Sequence, residues 1–194
     1  IQTAAQIEAL YSILIVVLGN SFFPLFITNS GMGTAAFAGT LIGIRNFSST
    51  ITSLFYGGAS KRFGKIRPLF LMLTLTALTF LLIQNIDRNF LWYGLLLIQG
   101  LGVGFIPAGP NVLIADGTQE NQRALGYATV TFISRLLQMV FPVIFGFIVE
   151  LTSFRVLFIS GGLISIILIG VFYSTNFHKR KRMDSTESEE DEVI

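Results

Sequence analysis

The stretch "LFLMLTLTALTFLLI", residues 69–83, decides the fold class because it is long, apolar and free of charge. A helix needs about 20 apolar residues to span the roughly 30 Å hydrocarbon core of a bilayer. A membrane-spanning β-strand would instead alternate apolar with polar residues, and this stretch does not alternate. It therefore predicts a membrane-spanning helix.

The rest of the chain has the same character. Of its 194 residues, 52% are hydrophobic and 12% are charged, whereas a soluble domain carries about 25% charged residues. Short polar or glycine-bearing breaks separate six candidate spans, as tight loops separate antiparallel helices. The predicted spans are residues 6–28, 35–58, 68–85, 90–115, 124–150 and 154–177. We predict an all-α polytopic membrane protein with a six-transmembrane-helix bundle at 1–177 and a charged, disordered cytoplasmic tail at 178–194.

Basic side chains predict the orientation of this bundle. With six spans, the loop after the second span, the loop after the fourth and the C-terminal tail share one side of the membrane. That side holds Lys61, Arg62, Lys65, Arg67, Arg123, Lys179, Arg180, Lys181 and Arg182. The opposite loops hold Arg88 and Arg155. The positive-inside rule then puts both termini in the cytoplasm of a cell in whose plasma membrane, or bacterial inner membrane, the protein lies.

The composition also limits the chemistry. The chain has no cysteine and its one histidine, His178, lies in the predicted tail. Disulfides, thiolate metal sites and a Ser-His-Asp triad inside the membrane are therefore excluded. We predict no enzyme activity, no cofactor, no metal and no nucleic-acid partner.

The segment "GGASKRFGKIRP", residues 57–68, contains the densest cluster of cations. It resembles the cytoplasmic-loop motif of the major facilitator superfamily, in which Gly and Asp precede basic positions. The residues at or within one place of the motif are Gly57, Arg62, Gly64, Lys65 and Arg67, with Lys61 at the Asp position. The family's Asp caps a helix and latches one conformation, so the departure at Lys61 puts that latch in doubt.

Two further segments support the resemblance. Residues 96–128 are similar to the family's fourth or tenth helix and the following loop. The matching positions there are Gln99, Gly100, Gly102, Pro107, Asp116 and the "RALG" at 123–126. The segment "FPVIFG", residues 141–146, is similar to the end of the fifth or eleventh helix.

The resemblance implies a twelve-helix fold of two six-helix halves, each made of two inverted three-helix repeats. A degraded loop motif and a start at Ile1 rather than Met favour the C-terminal half, helices seven to twelve. The partners implied are then the lipid bilayer, a small-molecule substrate and a missing N-terminal six-helix half.

Polar residues inside the predicted spans are the candidate site. Arg45 and Arg135 are charges near the middle of a span, where insertion costs roughly 2.5–3.5 kcal/mol. Helical spacing puts Arg45 on one face with Ser49 and Thr52, and Arg135 on one face with Gln138. The remaining candidates are Asn20, Gln99 and Asn111.

The resemblance puts the second and fifth helices at the boundary between halves and the first and fourth along the central cavity. Four roles then follow for the two arginines. They contact an anionic substrate group, or they pair with acids of the missing half, or they bond to helix carbonyls, or they extend to the membrane surface. We leave these alternatives open.

We predict a secondary active transporter that moves a small organic solute, a drug or a metabolite, by alternating access. The alternative is a six-helix membrane scaffold or receptor that transports nothing. No acid lies at the predicted midplane, because Glu8 and Glu150 lie near the two membrane surfaces. If a proton is the coupling ion, we expect its acid to lie in the missing half.

Overall fold

The computed structural model describes the backbone of residues 1–83, Ile86 and 89–191, and their side chains except those of Asn89 and 176–191. Within these residues every regular element is helical, so the all-α prediction is confirmed. The α-helices are α1 (Gln2–Tyr11), α2 (Phe23–Asn29), α3 (Ala35–Ser53), α4 (Tyr56–Phe63), α5 (Arg67–Leu82), α6 (Asn89–Val103), α7 (Gly109–Gly117), α8 (Arg123–Leu151) and α9 (Phe154–Asp191). A π-helical segment, Ser12–Phe22, joins α1 to α2, and a 3₁₀ turn, Glu120–Gln122, precedes α8.

The first helix, Gln2–Asn29, contains α1, the π-helical segment and α2, and it is the most deeply buried of the long helices. Pro24 has no N–H to give to the carbonyl of Asn20, the partner it would have in an α-helix. The wider i→i+5 register of the segment before it accommodates this missing bond. Asn20 therefore lies where the helix is locally widened.

Helices occupy the six predicted segments in the predicted order, but they are not equally long. By length and composition, three helices can cross a membrane, namely Gln2–Asn29, Glu120–Leu151 and Phe154–Thr175. The pair α4 and α5 adds a fourth if it is one span, although the two helices are bent by 118° from one another. The predicted span at 90–115 is divided into α6 and α7, because Pro107 lies in the break between them. The predicted break at 84–89 lies largely outside the described residues.

Glycines bring α6 against its neighbours. A Cβ on Gly100 would lie 2.4 Å from the carbonyl oxygen of Arg45, and one on Gly104 would lie 2.6 Å from that of Ser49. Only glycine permits this approach, so the spacing of this pair does predict close helix packing. Gly39 and Gly43 have the same spacing, yet no described atom lies near either of them. The outcome is a tight α3–α6 contact that fixes Arg45 in the bundle.

Aromatic rings fill the centre on the other side of the first helix. Phe26 lies 5.4 Å from Phe158 and 6.2 Å from Trp92, measured between ring centroids. Phe80 stacks on Phe158 at 5.9 Å. These contacts join the first helix to α5, α6 and α9. Since lipid is as apolar as these rings, their shape complementarity rather than their hydrophobicity orders the bundle.

The last helix differs from the predicted tail. It continues to Asp191 and so includes most of the segment 178–194, for which we predict disorder. Lysine, arginine, methionine and glutamate have good helix propensity, and extending a helix already formed costs far less than nucleating a new one. The division into a bundle at 1–177 and a tail at 178–194 stays a prediction.

Candidate functional site

Arg45 is held inside the bundle by α3. Its side chain is 1% exposed, and one terminal nitrogen, Nη1, packs against Gly19 of the first helix. A Cβ at position 19 would lie 2.8 Å from that nitrogen, so any side chain there would displace the guanidinium. The absence of a side chain at position 19 is therefore what makes room for the guanidinium.

The hydrogen bonds of Arg45 all leave from its other terminal nitrogen, Nη2. This nitrogen donates to Oδ1 of Asn20 and, at 3.3 Å, to Oδ1 of Asn46. The atoms Nε and Nη1 have no hydrogen-bond partner among the described residues. The structure thus brings together two predicted site residues, Arg45 and Asn20, and adds Asn46, which the sequence analysis missed. An asparagine next to an arginine has no helical spacing that singles it out.

The other members of the first predicted stripe face α6. Thr52 is buried and its hydroxyl donates to the carbonyl of Ser48 at 2.9 Å, while Ser49 is half-buried. Ser48 itself is buried and donates to the carbonyl of Leu97 at 2.9 Å. The Ser48 hydroxyl therefore bonds across the α3–α6 contact, whereas the Thr52 hydroxyl bonds within α3.

Gln99 is likewise used within the bundle. It is buried, and its Nε2 donates to the hydroxyl of Thr79 on α5 at 3.0 Å. A buried amide needs such a partner to offset the loss of its hydration. The hydrogen bond from Gln99 to Thr79 therefore joins α6 to α5.

Arg135 begins a chain of polar groups between α8 and the first helix. It is exposed and donates to Oε1 of Gln138 at 3.1 Å. The amide nitrogen of Gln138 donates to Ser12 at 3.2 Å and to Ser134 at 3.1 Å. Ser134 in turn donates to Glu8 at 3.4 Å. The predicted face of Arg135 and Gln138 is therefore present, and it ends at a carboxylate on α1.

Glu8 also borders a cavity of about 170 Å³ between α1, α7 and α8. The cavity is lined by Glu8, Tyr11, Pro107, Pro110, Asn111, Ile114, Tyr127, Val130 and Thr131. Asn111 is the predicted site residue among them, and its carbonyl accepts a 3.1 Å hydrogen bond from the hydroxyl of Tyr127. Tyr11, Tyr127 and Glu8 also line the cavity, although no sequence pattern predicts them as wall residues. These residues come together only because α1, α7 and α8 pack against one another, and the spacing of residues within one helix does not predict that packing.

The basic loop lies at another part of the molecule. Gly64 ends α4 with φ at 81°, a left-handed conformation that favours glycine. Lys65 follows it and forms an ion pair with Asp116 at the end of α7, both side chains being half exposed. The remaining cations of the motif, Lys61, Arg62 and Arg67, are exposed, and the Arg62 guanidinium lies 5.4 Å from the ring of Phe63. The ion pair of Lys65 with Asp116 thus joins the loop after α4 to the end of α7. Lys61, at the Asp position of the motif, takes no part in this ion pair.

Comparison with known proteins identifies the family. No curated protein matches the chain in sequence. A family model described as Major Facilitator Superfamily matches residues 9–193, which include every helix described above except the first turns of α1. Together with the all-helical bundle and the loop between α4 and α5, this match confirms the family that the motifs predict. The chain belongs to the Major Facilitator Superfamily.

Proposed function

We propose that this protein is a secondary active transporter that moves a small organic solute, a drug or a metabolite, by alternating access. Its family makes it an integral membrane transporter that acts on small molecules. The class of solute and the mechanism are the proposal, and the cavity beside Glu8 is the observation that carries it.

The walls of this cavity combine apolar surface with a few polar groups. Pro110, Ile114 and Val130 supply apolar surface, whereas Glu8 and Asn111 supply a carboxylate and an amide. Sites for small molecules have this composition, because apolar walls exclude water and a few polar groups orient the ligand. At about 170 Å³ the cavity is smaller than the roughly 300–1,000 Å³ of drug-sized sites, so it supports binding of a compact solute or of one group of a larger solute.

The break between α6 and α7 supports a cavity wall that changes position during transport. Pro107 lies in this break and borders the cavity, and α7 begins only at Gly109. Discontinuous helices are typical of transporter binding sites, since the freed backbone groups and the hinge both face the ligand. A change in the angle between α6 and α7 would change the shape of the cavity, as alternating access requires.

Several earlier predictions are part of this proposal. They are the missing N-terminal half as the partner that completes the path, both termini in the cytoplasm of a cell whose plasma or bacterial inner membrane holds the protein, and, if transport is ion-coupled, a proton as the coupling ion. The residues Arg45, Ser49, Thr52, Arg135, Gln138, Asn20, Gln99 and Asn111 stay proposed for the substrate path or the boundary between halves. Glu8 is an additional candidate for proton coupling, because its carboxylate lies in the cavity wall.

The experiment is counterflow of labelled solutes in liposomes that contain the protein with its complete reading frame. Thr131→Phe fills the cavity, whereas Thr129→Phe changes an exposed threonine of the same helix that does not line it. We expect Thr131→Phe to reduce counterflow about tenfold, equivalent to roughly 1.4 kcal/mol, and Thr129→Phe to leave it near wild type. Equal counterflow by both variants would remove the cavity from the path. No counterflow of any solute by the wild type would favour the scaffold or receptor.

A further inference from the structure

Arg45 has a positive charge that nothing in the described chain balances. Its side chain is buried, and no described carboxylate lies within ion-pair distance of it. Two of its three nitrogens, Nε and Nη1, have no hydrogen-bond partner among the described residues. A buried charge without a counter-ion is strongly unfavourable. Such a residue needs an anion from elsewhere.

The two asparagines beside it lie on the exposed side of the guanidinium. Asn20 and Asn46 are both exposed, and each turns its Oδ1 towards Nη2 of Arg45. An amide whose oxygen faces inward has its NH₂ group on the other side of the same planar unit. Both NH₂ groups therefore face away from the guanidinium. The bonded cation polarises them and makes them better donors.

Gly19 keeps the guanidinium itself beneath this pair. Nη1 lies against the backbone of Gly19, where a Cβ would be 2.8 Å away, and the ring of Phe80 would be 3.5 Å from the same Cβ. Packing thus fixes the guanidinium below the surface, and the two amides that it polarises offer N–H donors at the surface.

We infer that Asn20 and Asn46, backed by Arg45, form a binding site for the carboxylate group of an anionic solute. A carboxylate has two oxygens, so it accepts from two neighbouring N–H donors at once, and its charge offsets that of Arg45. This inference rests on the proposed function and adds the charge class of the substrate. The competing occupant is a carboxylate side chain from another part of the protein.

The test measures binding without transport. The protein with its complete reading frame is heated in detergent with sodium acetate, with sodium chloride at the same ionic strength, and with acetamide as the neutral analogue of acetate. We expect acetate to raise the melting temperature above the chloride value by about 3 °C, with saturation. Acetamide should produce no such rise.

Variants of matched charge test the site itself. Asn46→Asp supplies a covalent carboxylate to Arg45, so we expect a higher melting temperature without acetate and no further rise with it. Asn29→Asp makes the same change at an exposed position at the end of α2, and the acetate effect should remain.

Three results would overturn the inference. They are no acetate effect in the wild type, an acetate effect that survives Asn46→Asp, and a melting temperature that Asn46→Asp lowers, as expected if a protein carboxylate already pairs with Arg45. Failure here is distinguishable from failure of the proposed function. A carrier of cations would show counterflow but no acetate effect on the melting temperature. A receptor that binds anions would show the acetate effect but no counterflow.

Discussion

Arg45 and Arg135 are the two arginines that the sequence places near the middle of predicted spans, and their surroundings are opposite. Arg45 is buried, and among the described residues two of its nitrogens have no hydrogen-bond partner and no carboxylate pairs with it. Arg135 is exposed, and its hydrogen-bond chain leads through Gln138 and Ser134 to Glu8. Among the described residues, the same residue type near the middle of two spans thus has two unpaired nitrogens in one case and a local network in the other. The difference teaches that position within a span does not by itself determine the surroundings of a charge.

The largest effect should come from removing the unpaired charge. Arg45→Met keeps the bulk of the side chain, so we expect a protein that is at least as stable as the wild type, because replacing a buried ion by an apolar side chain is often neutral or stabilising. Transport of an anionic solute should fall about a hundredfold, since a desolvated charge contact is typically worth 2–5 kcal/mol. Counterflow and thermal denaturation measure the two effects separately. Loss of both stability and transport would instead indicate a structural Arg45.

A large effect on stability should follow from the close contact beneath Arg45. Gly19→Leu places a side chain where Nη1 lies, so we expect a loss of about 3 kcal/mol in the free energy of unfolding. Gly170→Leu is the matched control, because nothing lies within 4 Å of a Cβ at that position of α9. Thermal denaturation in detergent compares them. Equal melting temperatures would mean that the guanidinium is not fixed against Gly19.

A smaller effect is expected at Arg135. Arg135→Gln removes a donor to Gln138 but leaves the bonds of Gln138 to Ser12 and Ser134, so the cost should be about 0.5–1.5 kcal/mol. Counterflow should be largely retained, and Arg135→Lys should behave similarly. Abolished counterflow in Arg135→Gln, with partial activity in Arg135→Lys, would reveal an anionic partner and make the two arginines alike.

The smallest effect should come from Lys65, which pairs with a carboxylate at the surface of the described chain. Its ion pair with Asp116 is half exposed, and such pairs contribute about 0.2–1 kcal/mol. Lys65→Asp and Asp116→Lys should each lower stability by this amount, and the double variant should recover most of it. The coupling should fade in high salt, because ions screen exposed charges. A coupling that salt leaves unchanged would mean that the pair is buried in the complete protein.

Some features of the site were accessible to local reasoning. The proximity of Arg135 and Gln138 follows from their three-residue separation on one helix. The tight contact at Gly100 and Gly104 follows from their four-residue spacing, but the identical spacing of Gly39 and Gly43 predicts a contact that the described chain does not make. Spacing states which residues share a face, and it does not state which face meets a neighbour.

The sequence by itself determined the class of the protein. Long uncharged stretches require helices in lipid, because no water there satisfies the backbone, and the ordered motifs of the basic loop and of residues 96–128 identified the family. Only the tertiary structure decided which polar groups meet. The pairing of Arg45 with Asn20, the chain from Arg135 to Glu8 and the cavity beside Tyr127 each join residues of different helices. Such contacts depend on the rotation and depth of each helix against its neighbours. These are set by the packing of many side chains together, which no single segment of the sequence contains.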